Sequence, residues 1–83
     1  MAEYITAVYF DSPNGTVLGG PIMFDGNEYM FIDQHSGSDL YFRVKKSEQG
    51  WYYSGGPDIF VIPQTFVDAV GEQIDKQYQE NNK

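Results

Sequence analysis

Within five positions the chain holds His35, Ser36, Ser38 and Asp39, the residue types of a nucleophilic hydrolase. A hydroxyl becomes a nucleophile only when a base takes its proton, a third group orients that base, and donors wait for the oxyanion. Side chains that converge in this way come from separate parts of a rigid frame, whereas these crowd one turn rich in Gly and Ser. The stretch reads as a solvated loop whose side chains bond to nearby backbone, so no catalytic residue is assigned. Paired carboxylates for acid–base work fare no better. Asp11, Asp25, Asp33, Asp39 and Asp58 sit at strand ends or turns, where Asp is favoured for its own backbone hydrogen bonds, and nothing singles out two of them.

Metal and cofactor chemistry lack their usual donors. The chain has no cysteine and one histidine, so a zinc set is missing, and neither Asp11-Ser12-Pro13-Asn14-Gly15 nor His35-Ser36-Gly37-Ser38-Asp39 has the ligand spacing of a calcium loop. The glycine-rich segments carry no phosphate-loop lysine and open no helix. No metal, cofactor or enzymatic role is expected.

Charge is the most unusual property. Twelve acidic residues against five basic ones give a formal net charge of −7 over 83 residues. Residues 1–42 contain Glu3, Asp11, Asp25, Glu28, Asp33 and Asp39 but no Lys or Arg, and Arg43, Lys45 and Lys46 then fall together. Such a surface repels phosphate, so neither nucleic acid nor an anionic membrane is an expected partner. The opening residues lack the basic start and apolar run of a secretory signal, and no stretch approaches the ~20 apolar residues that span a bilayer; the expected setting is cytoplasmic.

These features must be carried by a fold, and the spacing of apolar residues indicates which. Tyr4–Phe10 is apolar on both alternating faces, as a well-covered strand would be. Asn14-Gly15 and Asp25-Gly26-Asn27 read as hairpin turns, and a bulge or bend is expected where Gly19-Gly20-Pro21 interrupts the second strand. Leu40, Phe42 and Val44 alternate with Tyr41, Arg43 and Lys45, one face for the core and one for water. Further strands are read at Trp51–Tyr53 and Asp58–Ile62. Past Pro63 the period becomes helical through Phe66, Val67, Val70, Ile74 and Tyr78, with Thr65 and Asp68 in a capping pattern. The expectation is one α+β domain over residues 1–83. It has an antiparallel β-meander of five to six strands (about 3–62), curved or barrel-like, a helix over about 64–79 packed on it, and a frayed tail at 80–83.

The function expected from these readings is a small acidic protein-binding module, an inhibitor or nucleic-acid mimic docking on the basic surface of a target protein, in its sharpest form a nucleic-acid-binding one. Asp11, Asp25, Glu28, Asp33 and Asp39 would supply the carboxylates, with Tyr41, Trp51 and Tyr52 as aromatic anchors. The alternative is a structural subunit of a homo-oligomer, such as a homodimer, or of a larger complex. Self-repulsion at this charge predicts that moderate salt raises the melting temperature by screening; a steady fall between low and moderate salt would show that attractive pairs dominate instead.

Overall fold

Two tight turns fold the first half of the chain back on itself, with Gly15 and Gly26 at φ of 88° and 98°, a conformation that strains any residue with a Cβ. The computed structural model describes residues 2–38, 40–56 and 62–81. Strands β1 (Glu3–Asp11), β2 (Val17–Phe24), β3 (Tyr29–Ile32), β4 (Tyr41–Ser47) and β5 (Gly50–Gly55) precede one helix, α1 (Gln64–Asn81). Each strand pairs antiparallel with the next, so the sheet order is the chain order. The expected α+β meander with a C-terminal helix is therefore what forms, as an open sheet whose edges among the described residues are β1 and β5. Of the expected strand Asp58–Ile62, positions 58–61 lie outside the described residues.

Register sorts the side chains onto two faces. Thr6, Ile22, Phe31 and Phe42 stand opposite one another across four strands, and Phe24, Tyr29 and Val44 form the next row. These rows lie under α1, whose Phe66, Val67, Val70 and Ile74 complete the core with Val8, Leu18 and Leu40. Phe10 joins Phe31 and Phe66 by tilted ring contacts at 5.3 and 5.2 Å between centroids. Full burial of side chains such as Ile22, Val67 and Ile74 is worth about 1.5–3 kcal/mol each, and this layer is where a small chain concentrates its stability.

Four local expectations are corrected. β2 runs unbroken through Gly19-Gly20-Pro21, and the irregularity lies on its partner, where the register slips between Tyr4 and Thr6. β1 is not covered on both faces, because the single helix lies on one side of the sheet and leaves Tyr4 and Tyr9 58% and 65% exposed. The helix starts at Gln64 directly after Pro63; the amide of Phe66 donates to the Pro63 carbonyl at 3.0 Å, and Asp68 accepts from the Gln64 side chain rather than forming a box with Thr65. Finally, α1 continues past residue 79 to Asn81.

The helix is fastened by Trp51. Its indole N–H donates to Asp75 Oδ2 at 3.2 Å, and its carbonyl accepts from Gln64 Nε2 at 3.0 Å. The Lys46 ammonium, paired with Asp75 at 2.9 Å, lies 5.4 Å from the indole centroid. Gly71 sits against the same ring: a Cβ there would lie 2.2 Å from Trp51 Cδ1. Gly71→Ala therefore gains about 1 kcal/mol of helix propensity but collides with the indole, and the variant should lose about 1–3 kcal/mol in urea unfolding. In a Trp51→Ala background the same substitution should become neutral or stabilising; equal losses in both backgrounds would show that the indole is not the obstacle.

Candidate interaction surfaces

The His35–Ser38 turn, whose residue types suggested chemistry, is organised around a buried carboxylate. Asp33 is 3% exposed. Its Oδ1 accepts from the amides of Gly19, His35 and Ser36 at 3.1, 3.0 and 3.2 Å, and its Oδ2 from the hydroxyls of Ser36 and, at 2.7 Å, Ser38. The Gly19 carbonyl in turn accepts from the amides of Gln34 and His35, so this turn is stitched to β2 from both sides. Burial alone pushes the Asp33 carboxyl up. The Ser36 and Ser38 hydroxyls and the Gly19 and Ser36 amides outweigh it and hold the group far below the usual carboxylate range. Both serine hydroxyls are donated to a carboxylate and His35 stands edge-on to the Tyr9 ring, an arrangement for holding a loop rather than for activating a nucleophile.

The carboxylates expected to project together are divided by the meander. Asp11 and Asp33 lie at one end of the sheet, Asp25 and Glu28 at the other, and Asp39 lies outside the described residues. Asp33 is withdrawn into the turn, which removes it from any docking surface. Glu28 is half-buried, accepting from Ser54 Oγ at 2.7 Å and facing Arg43 Nε at 3.5 Å. Asp25 stays exposed and accepts from the amides of Glu28 and Asn27, both at 2.9 Å; these bonds hold its carboxyl below the ordinary value and keep it charged. Its end of the sheet also carries two exposed acids outside the expected set, Glu3 at the start of β1 and Glu48 between β4 and β5.

The aromatic anchors separate too. Trp51 packs into the helix side, as above. Tyr41 and Tyr52 stand on the opposite face of the sheet, Tyr52 44% exposed and in register with Lys45. That face bears a cross-strand row of Tyr4, Met23, Met30 and Arg43, with the pairs Ala7–Pro21 and Ile32–Tyr41 beside it. Met30, Ile32, Tyr41 and Arg43 line a shallow depression of about 340 Å³ on it. The Arg43 guanidinium lies 6.0 Å from the Tyr41 ring centroid. Tyr9 lies across Gly19, where a Cβ would come within 2.1 Å of the ring. Residue counting alone could have exposed this face, since one helix about 10 Å wide cannot cover both sides of a sheet.

The acid limb of the stability curve should report on Asp33. A carboxyl whose folded pKa lies below its unfolded value of about 3.9 adds stability above that value and loses it as pH falls toward the folded pKa. Asp33→Ala leaves three amides and two hydroxyls without their acceptor and should cost about 2–4 kcal/mol at pH 7. Urea melts between pH 7 and about pH 2.5 should then fall less steeply below about pH 4.5 for the variant than for the parent. Parallel limbs would mean that other carboxylates set the acid sensitivity.

No helix among the described residues is long and apolar enough to cross a membrane. Comparison with known proteins returns no matching family model, no matching curated protein and no matching solved structure.

Proposed function

We propose that this chain is a non-enzymatic protein-binding module that docks on a basic partner through the acidic end of its sheet. The observation behind this reading is that the meander gathers Glu3, Asp25 and Glu48 to one end from three separate parts of the chain, all of them exposed. At a strand spacing of about 4.8 Å, these positions span roughly 20 Å in a row across the sheet. Two of the nearby cations are already engaged, Arg43 with Glu28 and Lys46 with Asp75. In its sharper form the module is an inhibitor, setting carboxylates where the phosphates of a nucleic acid would lie on a nucleic-acid-binding protein. A cytoplasmic setting goes with this reading, because a chain without cysteine gains nothing from an oxidising compartment.

Capture from a cell lysate on the immobilised chain tests it. The parent should retain a basic protein at low salt, release it as salt rises, and compete with that protein's nucleic acid. A triple variant, Glu3→Lys, Asp25→Asn and Glu48→Lys, should lose most of the capture through slower association; the amide introduced at position 25 keeps an oxygen acceptor for the turn. Asp68→Lys with Glu72→Lys on the exposed side of α1 should lose little. Equal losses from both sets would reduce the acidity to a solubility device. Tight binding of the parent to nucleic acid itself would overturn the electrostatic reading.

A further inference from the structure

Opposite α1 the sheet has no second layer among the described residues, and the chemistry of that face selects what would cover it. We propose that it seats a second copy of this chain, in a two-fold dimer packed sheet against sheet. The acidic end used by the proposed docking function stays outside such a dimer, so the two readings are independent.

Area is sufficient. Five strands of four to nine residues, spaced by about 4.8 Å with about 3.4 Å per residue, present a patch of roughly 500 Å² before side-chain relief is counted. Two such patches together reach about 1,000 Å², where specific interfaces begin. The residue types are those that anchor interfaces, namely Tyr, Met and Arg, and two of them are already held in place. Tyr9 is pinned between Gly19 and His35, and Arg43 between Glu28 and the Tyr41 ring, so little side-chain freedom remains to be lost on association.

Charge identifies the occupant. The chain as a whole carries −7, yet this face has Lys45 toward β5, Arg43 already paired with Glu28 beside it, and Asp11 at the diagonally opposite corner on β1. A two-fold axis lying between the sheets and perpendicular to that diagonal places Asp11 of each copy over the Lys45 region of the other. A basic partner would instead bring cations onto Lys45, with Arg43 already neutralised by Glu28. A single-stranded nucleic acid would find Tyr41 and Tyr52 to stack on but only Lys45 as an unengaged cation of this face, within a repelling field.

Sedimentation equilibrium of the full chain over a range of concentrations tests the proposal. At physiological salt the mass should rise to twice the 9.5 kDa chain mass, and the dimer should tighten from low to physiological salt as repulsion between like-charged copies is screened. Met30→Lys at the centre of the face, and Tyr52→Ala at its exposed margin where the fold does not depend on the side chain, should each weaken dimerisation about tenfold or more. Glu72→Lys on the exposed side of α1 should leave it unchanged. A chain that stays monomeric to its highest soluble concentration overturns the proposal. So does a dimer indifferent to both face variants, and so does tight binding of a labelled oligothymidylate that Tyr41→Ala abolishes. Partner capture and sedimentation are separate readouts, so failure of the docking reading is not failure of the dimer.

Discussion

The controlling constraint is that one helix covers one face of a sheet. The apolar stripe of α1, from Phe66 through Val67 and Val70 to Ile74, buries the inward residues of β1 to β4 and part of Trp51 on β5. The division of aromatic residues follows. Phe10, Phe24, Tyr29, Phe31, Phe42, Trp51 and Phe66 make ring or core contacts beneath the helix, while Tyr4, Tyr9, Tyr41 and Tyr52 are left on the other side. A chain of 83 residues without disulfides thus commits nearly all of its hydrophobic stabilisation to one layer.

Two polar arrangements hold that layer in place, at opposite ends of the sheet. At one, the Asp33 carboxylate gathers a fan of amide and hydroxyl donors just past the end of β3, tying the connection between β3 and β4 onto β2. At the other, Trp51, Lys46 and Asp75 lock α1 to β4 and β5, and Tyr29 meets Tyr78 through a hydroxyl contact of 2.9 Å. Burial and that hydroxyl contact push the Tyr29 phenol well above its ordinary value, so it stays protonated and keeps its donor. The buried Asp33 carboxylate is satisfied by several donors, which is the condition under which buried charge stabilises a structure, whereas the Asp75 carboxylate stays partly in water.

Charge and shape then divide the surface. The exposed acids fall at the sheet ends and along the outer side of α1, whereas the bare face is apolar between Asp11 at one corner and Lys45 at the other. An acidic end suits fast, salt-sensitive encounter, and a dry tyrosine- and methionine-rich face suits persistent contact. A dimer formed through that face would carry two acidic ends, and a target with two basic sites would then be held by avidity rather than by one strong contact.

Much of this was already determined by the order of residues. The β-branched and aromatic runs, the Asn-Gly and Asp-Gly turns and the change of period after Pro63 establish five antiparallel strands and a helix, because these are local or nearest-neighbour effects. The clean alternation at Leu40–Lys45 likewise announces which side of β4 is buried. Tertiary structure alone decided the rest. Whether Asp33 faces solvent or the backbone of Gly19 depends on a contact between residues fourteen apart in the chain, invisible to local pattern. Trp51 resembles an exposed anchor until a helix glycine twenty positions later makes room for its ring. The acids of residues 1–42 form one cluster in the sequence but two in space, since an antiparallel meander sends alternate connections to opposite ends.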